Sequence, residues 1–278
     1  MKKILTVMLC VFVVLCNGCK FTKDKTAANI NDTEHVPATI DEIAAKDYSS
    51  LSNNSIGWGF KKIKASPPDI PSATQELLEK YNAVYMDKNA EKTIYLTFDQ
   101  GYEAGYTAKI LDTLKKHDVP AAFFITGGYL KYSKDMVDRI VDEGHIVGNH
   151  SQTHPSLPKL APEEIAEDML ALENDFKNYY GFNMKFDRPP KGEYSERTLS
   201  VLSDLGYRSV LWSFAYMDWD ENRQKGVDYA YEQIMSYVHD GAILLLHSVS
   251  KDNADVLDRV ITDLKAAGYR FGRIDEIE

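Results

Sequence analysis

The sequence predicts an α/β fold built from parallel βα units, and three observations carry that prediction. From about residue 93, short apolar runs alternate with longer amphipathic ones. Runs such as Ala242-Ile243-Leu244-Leu245-Leu246 are apolar throughout, as expected of strands covered by helices on one face and a packed interior on the other. Asp99, His150, Arg188, Asp218 and His247 all fall at or just beyond the carboxyl ends of different predicted strands. An open doubly wound sheet and a closed barrel both fit the alternation. The convergence of these polar residues favours the barrel, because barrel strands meet at one mouth, where catalytic groups gather.

The first predicted strand, residues 93–98, delivers Thr97-Phe98-Asp99-Gln100-Gly101-Tyr102-Glu103, in which Gly101 allows a sharp exit that exposes the side chains before it. Asp99 is the candidate general base, although such a residue standing alone is as readily a helix cap or turn aspartate. An amphipathic helix over 106–117, an apolar strand over 121–126 and a second helix over 133–143 follow. The third strand, 145–149, runs into Asn149-His150-Ser151-Gln152-Thr153-His154-Pro155. One turn of helix, stopped by Pro155, would bring the two imidazoles to the same side. That suits Zn²⁺ or a similar divalent ion, which imidazole binds at about 2.0–2.1 Å. A bare His-x-x-x-His is a weak signal, and its place at a strand end gives it weight.

After a helix over 162–180, the fourth strand, 185–188, ends in Arg188-Pro189-Pro190-Lys191-Gly192-Glu193-Tyr194. The two prolines hold the arginine on a stiff edge, from which it can orient a carboxylate and keep it ionised. Helix 195–205 leads to strand 208–212, which continues as Trp212-Ser213-Phe214-Ala215-Tyr216-Met217-Asp218-Trp219. Helix 229–239 leads to strand 242–247, where His247 emerges from an apolar run at the mouth. A hydrogen bond from His247 to Asp218 would hold the ring and stabilise its cationic form, as a general acid needs. Helix 256–267 and strand 269–274 complete the series.

The chain has 278 residues, 44% hydrophobic and 27% charged, which suits one compact domain of catalytic size or two small ones and excludes a disordered chain. A net charge of −10, with no basic stripe, excludes nucleic acid as a partner. The amino terminus reads as an export signal over residues 1–19: Met1-Lys2-Lys3, an apolar run over 4–16, then Asn17 and Gly18. That run is shorter than the roughly 20 residues of a spanning helix, so a multi-span membrane protein is excluded. Cys19 after Gly18 is a candidate lipidation site that would tether the mature protein to the outer face of the membrane, beside the alternatives of ordinary cleavage or an uncleaved anchor. All three cysteines lie in this leader, so a chain cut at Cys19 forms no internal disulfide. Residues 20–55, rich in Lys, Asp, Asn, Thr and Ser, read as a flexible polar linker, which leaves 56–278 as the catalytic domain.

In order and spacing, the segments quoted above resemble the five motifs of the polysaccharide deacetylase family, the NodB-homology or carbohydrate esterase 4 group, over about residues 92–274. Gly57-Trp58-Gly59-Phe60-Lys61-Lys62 and Gly101-Tyr102-Glu103-Ala104-Gly105-Tyr106-Thr107 further resemble its delta-lactam-biosynthetic N-acetylmuramic acid deacetylase branch, which acts on peptidoglycan glycan strands in spore cortex formation. The resemblance implies a distorted (β/α)7-type barrel, Asp99 as base and His150 and His154 as metal ligands. Gln100 stands where the family has a ligating aspartate and the branch commonly an asparagine. An amide oxygen can coordinate a hard ion but adds no charge, so affinity should fall. Ala215 replaces the earlier acidic residue of the fourth motif, while Asp218-Trp219 is intact.

The expected chemistry is metal-assisted hydrolysis of an acetamido group. An ion (Zn, Mn, Co or Mg) on His150, His154 and Gln100 would polarise the carbonyl and lower the pKa of its bound water. Asp99, oriented by Arg188, would take the proton. The oxyanion would rest on the ion and on N–H groups at Gly192 to Tyr194. His247, paired with Asp218, would protonate the leaving amine. Tyr102, Tyr194 and Trp219 offer flat faces for sugar rings, with Tyr106 and Tyr216 in reserve; Gly192 and Leu245 would line the pocket. The expected partner is peptidoglycan, met by a monomer, and the products are acetate and a free amine that on muramic acid could close to a lactam. Two rival readings are a deacetylase of another polysaccharide (N-acetylglucosamine polymer, chitin-like or xylan) and a degenerate glycan-binding protein.

Overall fold

The computed structural model describes residues 38–278. In order the elements are α1 (Ile40–Ala45), β1 (Ile56–Gly57), α2 (Ser72–Lys80), β2 (Thr93–Gln100), α3 (Thr107–His117), β3 (Ala121–Ile125), α4 (Gly127–Tyr132), α5 (Lys134–Asp142), β4 (Ile146–Asn149), α6 (Pro162–Tyr180), β5 (Phe186–Asp187), β6 (Glu193–Tyr194), α7 (Glu196–Asp204), β7 (Arg208–Ser209), α8 (Val227–Tyr237), β8 (Ala242–His247), α9 (Lys251–Ala266) and β9 (Arg270–Phe271). Seven strands form one parallel sheet in the order β7-β5-β4-β3-β2-β8, with β9 also on β2. The sheet curls into a half-barrel, and short backbone bridges span the seam between its end strands. Val84 pairs with both Ser209 and Leu211 (2.9 and 2.7 Å), Asp87 N–H donates to Gly241 (2.9 Å), and Leu245 N–H donates to Phe214 (2.9 Å). The result is the distorted barrel that the family resemblance implied.

Strand alternation decides what faces the mouth. Ile94, Leu96 and Phe98 of β2, Phe123 and Ile125 of β3, and Leu244 and Leu246 of β8 join the core under the helices. Tyr95, Ala122, Phe124 and Ile243 join the separate cluster inside the barrel. By the same period, Thr97, Asp99, Leu245 and His247 point inward. Helix α6 shows why the outer layer forms: Ile165, Met169, Leu172 and Phe176 recur at helical spacing, and all are buried. Together they contribute roughly 6–12 kcal/mol of apolar burial, far more than intrinsic propensity supplies. Pro162 starts the helix, and Gly181, at φ +79°, ends it in a left-handed turn.

Three local expectations change. Residues 38–55 are not a free linker but pack on the domain. Thr39 and Glu42 cap α1 reciprocally (3.2 and 2.8 Å), Ile43 enters the main core, and the Tyr48 hydroxyl donates to Asp204 (2.7 Å). Helix α9 begins at Lys251 rather than 256, because Ser250 accepts from Asn253 N–H and caps it (3.1 Å). The segment carrying His150 and His154 is not helical: Ser151 and His154 both adopt left-handed backbone, at φ +69° and +57°. The export signal and Cys19 lie outside the described residues, and among those described no helix is long and apolar enough to cross a membrane.

Candidate active site

Arg188, just past β5, is the centre of the site and is fully buried. Thr97 and Asp99 lie two apart on the inward face of β2, so one guanidinium reaches both. Nη1 donates to Asp99 Oδ1 (2.8 Å), Nη2 to Thr97 Oγ1 (2.8 Å), and Nε to the Val210 carbonyl (2.9 Å). The guanidinium lies 4.2 Å from the centre of the Phe124 ring. Asp99 is 8% exposed. Burial would raise its pKa, but Arg188, His150 and His247 outweigh burial and hold the carboxyl below its ordinary range.

The next residue on β2, Gln100, points to the opposite face by strand alternation. Its amide nitrogen donates to Ser248 Oγ (2.7 Å), and its buried carbonyl oxygen has no hydrogen-bond partner.

His150 follows β4. Its Nδ1 donates to the Arg188 carbonyl (2.8 Å), which leaves the Nε2 lone pair free, 3.5 Å from Asp99 Oδ2. The His154 ring meets it edge-on, with centres 4.9 Å apart. The turn between them is built by hydrogen bonds: Ser151 N–H donates to Asn149 Oδ1 (2.8 Å) and His154 N–H to Ser151 Oγ (2.9 Å). Burial lowers the pKa of both rings, His154 to about 4 with a further push from His150. Both imidazoles are therefore neutral near pH 7, as metal ligands must be. Among the described residues no three His, Cys, Asp or Glu side chains gather to hold a metal. The two neutral imidazoles, with ring centres 4.9 Å apart, are suitable donors to a divalent ion, whereas the Gln100 oxygen lies on the opposite face of β2 from Asp99 and no contact among the described residues brings it to them.

His247 stands directly opposite Asp99 in the β2–β8 register. Its Nδ1 donates to Asp218 Oδ1 (2.7 Å), while Asp218 Oδ2 accepts from His247 N–H (2.8 Å) and from Asn253 Nδ2 (2.6 Å). Tyr216 in turn donates to Asn253 Oδ1. Burial alone would lower the pKa of His247, but Asp218 overcomes it and raises the value above 6.5. A carboxylate kept ionised beside an imidazole kept protonated is a base and an acid on two adjacent strands.

The remaining predicted residues divide. Trp219, 52% exposed, lies with its ring 5.8 Å from that of His247, and Tyr102, 53% exposed, donates to Glu221 across the mouth. Leu245 is inward-facing, two residues before His247. Tyr194 offers no sugar platform, because its ring is fully buried among Trp58, Tyr85 and Leu199. Tyr216 is likewise buried, and Tyr106 packs against the main core. Gly192, at φ +65°, permits close packing: a Cβ there would lie 2.8 Å from Trp212. The expected oxyanion donors are also changed. Gly192 N–H donates to Pro189, Glu193 N–H to Pro190, and Tyr194 lies in the β1–β6 ladder.

Thr97 and Asn253 were not foreseen. Thr97 was legible from its inward parity with Asp99, whereas Asn253 was hidden by a helix start placed too late.

Comparison with known proteins agrees with this geometry. The family model described as polysaccharide deacetylase matches residues 86–210. The chain is 45% identical to the peptidoglycan-N-acetylmuramic acid deacetylase PdaA of Bacillus subtilis over 84% of this chain and 89% of that protein. The solved structure of PdaA, described as a family 4 carbohydrate esterase, matches with a TM-score of 0.80 over 82% of this chain and 98% of that one. A peptidoglycan-N-acetylglucosamine deacetylase of Bacillus cereus is 34% identical over 70% of this chain and 71% of its own length. A family 4 pseudoenzyme from Bacillus anthracis is 30% identical, with a TM-score of 0.66 over 70% of this chain and 68% of its own. Identity and fold agreement over this much of both chains place the protein in the polysaccharide deacetylase family, the carbohydrate esterase 4 group of amide-hydrolysing enzymes.

Proposed function

We propose that this chain hydrolyses the acetamido group of N-acetylmuramic acid residues in peptidoglycan glycan strands, with a divalent ion held by His150 and His154. One observation carries the reading: the buried Asp99–Arg188 pair stands beside the Asp218–His247 pair on the next strand. Asp99, anionic because Arg188 donates to it, accepts a proton from the attacking water. His247, cationic because of Asp218, gives a proton to the departing nitrogen, so acetate and a free amine are released. The ion, when bound, supplies Lewis acidity at the acetyl oxygen and acidifies the water. Trp219 and Tyr102 present exposed faces for neighbouring sugars.

A muramic substrate is supported by the likeness to PdaA, and the free amine it yields can close on the lactyl carboxyl to the lactam of spore cortex. Peptidoglycan lies outside the cell membrane, which fits the export signal at residues 1–19 and a tether at Cys19.

The test is mass spectrometry of stem-free peptidoglycan strands after incubation with the protein, with chelator and after restoring Zn²⁺, Mn²⁺, Co²⁺ or Mg²⁺. Loss of one acetyl group from muramic residues, prevented by the chelator and restored by an added ion, is expected. Loss from glucosamine residues alone would overturn the muramic reading, and no loss with any ion would favour the pseudoenzyme alternative.

A further inference from the structure

Asn149 ends β4 with its side chain on the face of the sheet away from the mouth, two residues after Val147, which packs in the core under the helices. There it meets polar groups that the chemistry above does not use. Glu173 of α6 and Tyr207, just before β7, are buried with it, at 4% and 6% exposure. A carboxylate and an amide under a helix are costly unless hydrogen-bonded, so packing alone does not call for them.

The hydrogen bonds run in one direction. Glu173 Oε1 accepts from Met184 N–H (3.0 Å) and Oε2 from the Tyr207 hydroxyl (3.0 Å). With its proton given to Glu173, the Tyr207 oxygen accepts from Asn149, whose Nδ2 donates to it (3.0 Å) and to the Met169 carbonyl (2.9 Å). The amide is thereby fixed with its nitrogen toward α6 and its oxygen toward the turn that carries the histidines, where Oδ1 accepts from Ser151 N–H (2.8 Å). A flipped amide would set a donor against the Ser151 N–H and an acceptor against the Met169 carbonyl. The Asn149 backbone is tied to the site as well, because its carbonyl accepts from Arg188 N–H (3.0 Å). Ser151 at φ +69° and His154 at φ +57° hold a left-handed backbone that residues with a Cβ adopt at a cost. Such a turn persists where its surroundings over-determine it, and the Asn149 oxygen is a point at which the rest of the fold reaches in.

We propose that Tyr207 and Glu173, on the far side of the sheet from the mouth, are positioning residues that act through Asn149 to hold the His150–His154 turn in its ion-binding shape. This rests on the reading above that an ion sits on those two histidines. Neither residue touches the ion or the substrate; the carboxylate sets the direction of the hydrogen bonds, and that direction sets the amide on which the turn is built.

The experiment titrates Co²⁺ into the metal-free wild type, Tyr207→Phe, Glu173→Gln and Phe176→Leu. It reads affinity by calorimetry and the visible absorption of the bound ion, beside the melting temperature, kcat and KM. Phe176→Leu is the control, because it loosens the same α6 core without touching these hydrogen bonds. Tyr207→Phe should weaken Co²⁺ binding by about ten- to hundredfold, alter the absorption and lower kcat at saturating ion with little change in KM. Glu173→Gln should do the same, since its amide nitrogen must face one of two donors. Phe176→Leu should melt lower and keep the wild-type affinity and spectrum. Wild-type Co²⁺ affinity in a folded Tyr207→Phe or Glu173→Gln would overturn the assignment, as would an equal loss of affinity in Phe176→Leu. A wild type that binds no Co²⁺ would overturn the ion reading as well.

Discussion

Arg188 is a buried cation whose hydrogen bonds run to Asp99, Thr97 and the Val210 carbonyl, so its cost of burial is offset only while Asp99 is ionised. The same pairing holds Asp99 in the form a base requires. His247 works in the reverse sense: burial favours the neutral ring, and Asp218 keeps it charged. Catalysis by a protonated His247 should therefore fall on the alkaline side, at a pH above 6.5. Asp218→Asn removes the charge and leaves burial to dominate. The alkaline limb of kcat/KM should then move below pH 6.5, with about a 10²-fold loss at neutral pH, as a pH–rate profile would read. An unmoved limb would exclude His247 as the acid. The stability effect has the same sign. A raised imidazole pKa contributes stability that is full below pH 6.5 and is lost as the pH rises through the folded value, and Asp218→Asn, which leaves burial to lower the pKa, should reverse that dependence.

At the scale of elements, the apolar and amphipathic runs were strong enough to place β2, β3, β8, α3 and α6 within a few residues. Weak signals failed for physical reasons. The His150 turn has helical spacing in sequence, but Ser151 and Asn149 hydrogen-bond the backbone into left-handed turns, and the imidazoles still meet. Tyr194 sits at a strand end in sequence, yet it pairs with a strand contributed by residues 56–57, which no periodicity announces, and is covered by it. Helix α1 is six residues in a polar stretch, and its one buried residue, Ile43, gives no periodic signal. If that segment belongs to the domain, Ile43→Ala should cost about 2–5 kcal/mol in denaturant unfolding. A free linker would show a change within about 0.5 kcal/mol.

For the whole molecule, the site was more legible than the path of the chain around it. Asp99, His150, Arg188 and His247 come from strands or strand ends spread over some 150 residues, and a curled parallel sheet has one place where those ends converge. Composition and motif spacing therefore carried the chemistry, whereas the seam closed by residues 84–87 and 213–214 depends on isolated backbone bridges that leave no pattern in sequence.

The central claim is that Asp99, held anionic by Arg188, is the base of an amide hydrolysis. Its most direct test is acetate release from stem-free peptidoglycan strands by the metal-supplemented wild type and by Asp99→Asn, which keeps an oxygen for Arg188; thermal melting would confirm that both are folded. The account predicts release by the wild type and a loss of about 10²–10⁴-fold in the variant. A folded Asp99→Asn that releases acetate at close to the wild-type rate would contradict it.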